Sequence, residues 1–214
     1  MYRLVFTDRA FYNHLNENST GEGKSRFKEG AHMQPRWTET NWCVVTGAPC
    51  AGKTTLIQQL ARHGYTVAGE VAREYIDAQL AAGATLEQIK ADARRFERHI
   101  LLEKARLEHA LSPERLVFLD RAIPDSTAYF RLEGLDPQEP LALSRLFRYR
   151  KVFLLERLEF TSDGVRSEDD ATAARLETLL VEIYTELRYP IIRVPVLETA
   201  HRLAFVLAHL KDDL

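Results

Sequence analysis

Cysteine is scarce in this sequence. It occurs twice, at Cys43 and Cys50. Two thiols cannot build the framework of a disulfide-stapled scaffold, and such sparing use points to a reducing compartment. No apolar run approaches the ~20 residues that a membrane-crossing helix needs. The first residues, MYRLVFTDRAFYNHLNENSTGEGK, lack the apolar core of a secretory signal, so the expected location is cytoplasmic. A dominant charge is missing as well: 29 Lys plus Arg stand against 31 Asp plus Glu, a formal net charge of −2. That excludes the basic field by which a nucleic-acid partner announces itself. One basic run exists, Lys90, Arg94, Arg95 and Arg98. It is interleaved with Glu87, Asp92, Glu97 and Glu103, and reads as a solvated face of mixed sign.

What remains is ordinary globular material. The chain has 214 residues, of which 45% are hydrophobic and 28% charged. A chain of this length buries about 70% of its unfolded surface, enough for one good core. Residues 1–40 carry little periodicity, and Asn13 to Gly30 has a linker composition. They are expected to form a flexible N-terminal extension or a docking arm for a partner, ahead of one globular domain over 41–214.

From Trp42 onward the pattern is regular. Trp42 to Thr46 predicts a buried strand. Leu56, Ile57 and Leu60 form a helical stripe that Gly64 stops. Tyr65 to Ala68 predicts a second strand, and Val71, Tyr75, Ile76 and Leu80 a helix ended by Gly83. Thr85 to Gln88 is a capping-box pattern, followed by one helix spaced through Leu86, Ile89, Ala93, Phe96, Ile100 and Leu107. Leu116 to Leu119, Val152 to Leu155 and Ile191 to Val194 are further apolar strands. Asp136 and Pro137 open a helix, Leu176 to Leu187 marks a long one, and 198–210 a last amphipathic one. Strands apolar on both faces, alternating with helices, indicate an α/β fold with a parallel sheet covered on both sides.

Between the first strand and its helix, Gly47-Ala48-Pro49-Cys50-Ala51-Gly52-Lys53-Thr54 fits G-x-x-x-x-G-K-[ST] without departure. It lies in the strand–turn–helix context that this phosphate-binding loop requires. The two glycines let the backbone curl so that successive N–H groups converge on phosphate oxygens. The helix beginning near Lys53 adds its positive end. Lys53 supplies a charge for the β- and γ-phosphates, the Thr54 hydroxyl a ligand for Mg²⁺, and Thr55 a contact to the α-phosphate.

Three further clusters are candidates. Asp120 ends the strand Leu116–Leu119, where a parallel sheet opens its ligand crevice. It reads as a ligand of Mg²⁺ or its water shell, or as the N-cap of the next helix. Arg121 beside it reads as a phosphate-binding or a surface arginine. Glu70 and Arg73 follow the second strand. They are placed to take a proton from an acceptor hydroxyl and to neutralise phosphate charge, or to form a solvated i,i+3 pair. The polar connection from Glu156 to Ser167, with Arg157 and Arg166, reads as a closing loop over the nucleotide or as plain surface. Val194-Pro195-Val196 stands where an adenine ring could rest.

The stretch from Val44 to about Leu210 resembles the small AAA-type ATP-binding proteins related to the ribosylnicotinamide kinase domain. The resemblance rests on GAPCAGKTTL (Gly47–Leu56), EVAREYI (Glu70–Ile76), FLDRAIPDSTAYF (Phe118–Phe130), DGVRSED (Asp163–Asp169) and IYTELRYPIIRVPV (Ile183–Val196). One position departs: where that family commonly reads Leu-Gly-Tyr, this chain has Leu187-Arg188-Tyr189. The resemblance implies a P-loop NTPase fold of kinase type, a parallel five-stranded sheet and Mg-ATP binding. Gly47, Gly52, Lys53, Thr54 and Thr55 match the phosphate loop, Asp120 the second acidic motif and Arg166 a lid arginine. Glu70 and Arg73 match the segment that faces the acceptor.

Two functions follow as expectations. One is a phosphotransferase moving the γ-phosphoryl group of ATP, with GTP left open, to a small hydroxyl acceptor such as a nucleoside. The other is a nucleotide-dependent ATPase or GTPase switch acting through a protein partner; a homo-oligomer is a further expected association.

Overall fold

The structure, a computed structural model, describes residues 37–157 and 167–211. The expected extension therefore lies outside the described residues except for Trp37 to Thr40. Within that stretch β1 (Thr38–Glu39) pairs in parallel with β5 (Phe147–Arg148).

Five strands form the main sheet: β2 (Trp42–Thr46), β3 (Thr66–Ala68), β4 (Val117–Asp120), β6 (Lys151–Leu155) and β7 (Ile191–Val194). Their order is β3-β4-β2-β6-β7, and every pair is parallel. The central strand, Trp-Cys-Val-Val-Thr, is buried along its whole length, as a parallel strand covered on two faces must be. Successive side chains alternate between faces. Cys43 and Val45 join a core with Leu56, Ile57 and Leu60 of α1 (Lys53–Arg62) and Leu203, Val206 and Leu210 of α8 (Thr199–Lys211). Trp42, Val44 and Thr46 look the other way. On that side lie α4 (Ala93–Ala110), α5 (Ile123–Leu132) and α7 (Ser167–Glu186), and Thr46 reaches Asp125 of α5. The remaining helices are α2 (Val71–Ala81), α3 (Leu86–Lys90) and α6 (Gln138–Leu143). None of the residues of α2 is buried, so it forms an outer wall rather than core.

The capping box at Thr85 forms as its sequence predicts: Gln88 N–H donates to Thr85 Oγ1 at 3.2 Å and Thr85 N–H to Gln88 Oε1 at 2.9 Å. The helix that follows is not continuous. Asp92 caps a second start, its Oδ1 accepting from Arg95 N–H at 3.0 Å. A short polar carboxylate competes for the backbone at that point and divides the expected helix into α3 and α4. At Asp136 the cap shifts by one: Asp136 Oδ1 accepts from Gln138 N–H, and Pro137 precedes the first helical residue.

The departure at Arg188 has a structural counterpart. Arg188 adopts φ 59°, a left-handed conformation. Its N–H donates to Thr185 O at 2.9 Å and Tyr189 N–H to Tyr184 O at 2.9 Å, the paired bonds of a Schellman motif. Arg148 covers that end by donating to Leu187 O and Arg188 O, with its guanidinium 4.0 Å from the Tyr189 ring centre. A residue with a Cβ pays about 1–2 kcal/mol for this backbone, against roughly 0.5–1 kcal/mol of extra chain entropy for glycine. Arg188→Gly is therefore expected to stabilise the fold by about 0.5–1 kcal/mol, read as a Tm increase of roughly 1–4 °C by calorimetry.

Candidate functional site

The loop between β2 and α1 is built from close backbone approaches. Gly47 has φ 143°, and a Cβ there would stand 2.7 Å from the carbonyl oxygen of Leu155 on β6. No larger residue fits, so the loop leaves the sheet pressed against the neighbouring strand. Gly52 has φ 86° and is the N-cap of α1. Cys50 carries φ 60° without being glycine, a conformation that costs free energy and collects at functional turns. Pro49, Cys50, Thr54 and Thr55 are exposed, whereas Ala48, Ala51 and Lys53 are buried. The Lys53 ammonium donates to Ala48 O at 2.8 Å and so lies across the loop. Burial, followed by the nearby Arg121 guanidinium, pushes Lys53 down to about 8.

Asp120 ends β4 and is 4% exposed. Its Oδ1 is buried and has no hydrogen-bond partner among the described residues. Burial, then the Glu70 carboxylate, raises its carboxyl to about 6. It is not a helix cap: the N-cap of α5 is Ala122, whose N–H donates to Asp125 Oδ2 at 3.1 Å. A buried carboxylate oxygen left without a partner at the end of β4 suits Mg²⁺. That ion is characteristically held by one or two carboxylates together with substrate phosphates.

Arg121 follows with φ 67°, a left-handed conformation. The surface reading of this residue is corrected by its position: the side chain is 3% exposed and pairs with two carboxylates. Nε donates to Glu70 Oε1 at 3.1 Å and Nη1 to Asp125 Oδ1 at 3.1 Å. The guanidinium also lies 5.3 Å from the Tyr129 ring centre. Glu70 is thus oriented by a buried arginine, and its backbone serves as the N-cap of α2.

Asp125 escaped the reading of the sequence. It is fully buried. Its Oδ1 accepts from Thr46 Oγ1 at 2.6 Å and from Arg121, while Oδ2 accepts from Ala122 N–H and, at 2.7 Å, from Tyr184 OH. The Arg121 guanidinium leads the forces that hold its carboxyl below the ordinary range despite burial. Its spacing of four from Arg121, at the start of a helix, was the available signal. Asp125→Ala leaves Arg121 buried with half its charge partners, and is expected to destabilise the protein by about 3–5 kcal/mol in denaturant unfolding.

A cleft of about 650 Å³ opens beside this group, lined by Pro49, Glu70, Arg73, Arg121 and residues of α2 and α4. Glu70 and Arg73 do face one space, as their spacing suggests, and Pro49 places the phosphate loop at its edge. Phe96, Ile100 and Tyr129 give it an apolar wall, and Glu97 and Lys104 bring two buried charged side chains to it. Lys104 donates to Ala122 O at 3.3 Å and Ser126 Oγ at 3.2 Å. Burial, opposed by the Lys104 charge, raises Glu97 from 4.5 to about 7. A carboxyl whose folded pKa lies above its unfolded value costs stability as pH rises between the two. Wild type should lose about 2–3 kcal/mol between pH 4.5 and 7 from this group, and Glu97→Gln should flatten that limb in urea midpoints measured across the range.

Arg157 donates to Asp170 Oδ1 at 2.7 Å and its backbone oxygen at 3.1 Å, tying the end of the connection to α7. Arg166, the expected lid arginine, lies outside the described residues. Val196 is exposed just beyond β7. Among the described residues no helix is long and apolar enough to cross a membrane.

Residues 42–202 match the family described as AAA domain. No curated protein matches the sequence. Among solved structures, NadR protein in complex with NR is similar at TM-score 0.60 and 20% identity, over 81% of this chain and 51% of that one. The chain thus spans about half the length of that relative. A deoxyadenosine kinase from M. mycoides, with products dCMP and dCDP bound, is similar at TM-score 0.57 and 15% identity, over 81% of this chain and 100% of that one. A thymidylate kinase from Ehrlichia chaffeensis matches at TM-score 0.58 and 13% identity, again over 81% and 100%. At these identities the likeness is one of fold: a P-loop, kinase-like parallel sheet with helices on both faces.

Proposed function

Because the chain belongs to that AAA domain family, we propose that it is a P-loop phosphotransferase. In this reading it moves the γ-phosphoryl group of a nucleoside triphosphate, ATP in the first instance, to a hydroxyl of a small nucleoside-like acceptor. The observation that carries the reading is the cleft that runs from Pro49 of the phosphate loop past Glu70, Arg73 and Arg121 to an apolar wall. A switch needs no room for a second substrate beside the phosphate loop, whereas a transferase does. The fold shared with NadR protein, deoxyadenosine kinase and thymidylate kinase supports the same reading.

The roles follow from placement. Converging N–H groups of the 47–54 loop, Pro49 excepted, and the Lys53 ammonium hold the β- and γ-phosphates. For that the ammonium exchanges Ala48 O for phosphate oxygen, and an anion there favours its charged form. Asp120 and Thr54 would hold Mg²⁺, which when bound neutralises charge on the phosphate oxygens. Glu70, oriented by Arg121, accepts the proton of the acceptor hydroxyl. As that oxygen bonds to the γ-phosphorus, the bond to the β-phosphate oxygen breaks and the nucleoside diphosphate leaves. Arg73, exposed at the cleft mouth, neutralises charge that develops on the transferred group. Positioning and charge supply most of the rate in such transfers.

Nucleotides with Mg²⁺ are screened first by thermal shift, since a ligand that binds only the folded state raises its apparent stability. Candidate acceptors follow with nucleotide bound, scored by acceptor-dependent ADP release. Lys53→Ala and Asp120→Ala are each expected to lower turnover by roughly 10²-fold or more. Glu70→Gln is expected to lower kcat by about 10²–10⁴-fold with little change in nucleotide affinity. Full turnover in all three variants would exclude the assignment. Nucleotide hydrolysis that no acceptor stimulates would favour the switch.

A further inference from the structure

The last helix sends one arginine into the phosphate loop. Arg202, in the first turn of α8, is 6% exposed. Its Nη1 donates to Ala51 O at 2.6 Å and its Nε to Pro195 O at 3.1 Å. One rigid guanidinium therefore bridges the loop after β7 and the loop after β2, across 151 positions of sequence in the case of Ala51. Its Nη2 is buried without a hydrogen-bond partner among the described residues. A residue that merely filled space would not carry an unsatisfied donor into the interior, where such donors are costly. Its contact also bears on the second loop glycine: a Cβ on Gly52 would stand 2.8 Å from Arg202 Nη1.

The peptide that Arg202 grips joins Ala51 to Gly52. No cis peptide bond occurs among the described residues, so the C=O of Ala51 and the N–H of Gly52 point in opposite directions across one plane. Holding the carbonyl toward α8 turns the Gly52 N–H away from α8. Glycine at φ 86° has no Cβ to resist rotation of that peptide. Something else must fix it, and the guanidinium is the group in contact.

We propose that Arg202 is a positioning residue that locks the 51–52 peptide so that the Gly52 N–H faces the phosphate of a bound nucleotide. This rests on the reading of the loop as a nucleotide site, and it deepens that reading by adding a residue outside the motif. Without the clamp, the peptide rotates between two orientations, and only one offers the donor. The same guanidinium couples the loop at Pro195 to the loop at Ala51, so that the two move together.

The test uses the full chain and two variants. Arg202→Met keeps the length of the stem and removes every donor. Arg202→Lys keeps the charge but cannot make the two-pronged bridge. Affinity for AMP-PNP with Mg²⁺ is measured by titration calorimetry, stability by thermal unfolding of the free protein, and the Gly52 amide by two-dimensional NMR. Arg202→Met is expected to weaken AMP-PNP binding about ten-fold or more. It should also shift the Gly52 amide resonance of the free protein and abolish that amide's response to nucleotide, while the protein stays folded. Arg202→Lys should fall between. Wild-type affinity together with an unmoved Gly52 amide in a folded Arg202→Met protein would overturn the proposal. So would a loss of affinity that only tracks loss of folding while the amide response persists. If wild type binds no AMP-PNP, the nucleotide-site reading fails by itself. The Gly52 resonance of the free proteins then still decides whether Arg202 sets that peptide, and an unchanged resonance refutes the clamp.

Discussion

The site depends on one buried carboxylate. Asp125 receives four hydrogen bonds, from Thr46 at the end of the central strand, from Arg121 after the neighbouring strand, from the backbone at Ala122 and from Tyr184 on α7. Charge taken out of water is tolerated only when it is paired and its lone pairs are satisfied. Here the satisfaction is shared among three segments: the end of β2, the turn after β4 and α7. None of them can move without breaking a charge-assisted bond in the interior. The strand that delivers the phosphate loop, the strand that delivers Asp120 and the helix layer beneath are thereby held in one register at the carboxyl edge of the sheet.

Around that centre the electrostatics are poised rather than neutral. Lys53 and Asp120 are both largely buried, and burial drives them in opposite directions, the ammonium down to about 8 and the carboxyl up to about 6. Each sits closer to its uncharged form than it would in water. A polyphosphate beside Lys53 and a cation beside Asp120 would reverse both shifts. In the proposed transferase, binding the charged cargo is therefore also what charges the site. Arg121 needs no such help, because Glu70 and Asp125 already flank it.

The backbone contributes where side chains cannot. Gly47 presses against the Leu155 carbonyl, Cys50 is held at positive φ, and Arg202 reaches Ala51 from the far end of the chain. Each restricts the loop before any ligand arrives, so less ordering is left for binding to accomplish. The cleft is built differently. Its outer wall, α2, has no buried residue, and elements with few buried contacts open most easily. In the proposed transferase, a rigid phosphate end and a looser acceptor end would suit two ligands that differ in how uniformly they are shaped.

Much of this was legible in the residues themselves, because it is local. The buried strand, the glycine turn and the amphipathic helix follow one another within about twenty residues, and each has a periodicity or a backbone requirement of its own. The parallel sheet was legible for the same reason, from strands apolar on both faces. The split between α3 and α4 was written at Asp92, yet the apolar spacing ran through it and masked the cap. What the sequence could not display is partnership at long range. Thr46 and Asp125 are 79 positions apart, Ala51 and Arg202 are 151, and no local pattern distinguishes a buried arginine from one in water. Composition, periodicity and one loop motif determined the fold and its phosphate-facing turn. Which charges are paired, which carboxylate oxygen is left free and which peptide is clamped were decided only when the sheet closed and low-dielectric burial made each unpaired charge too costly to leave unanswered.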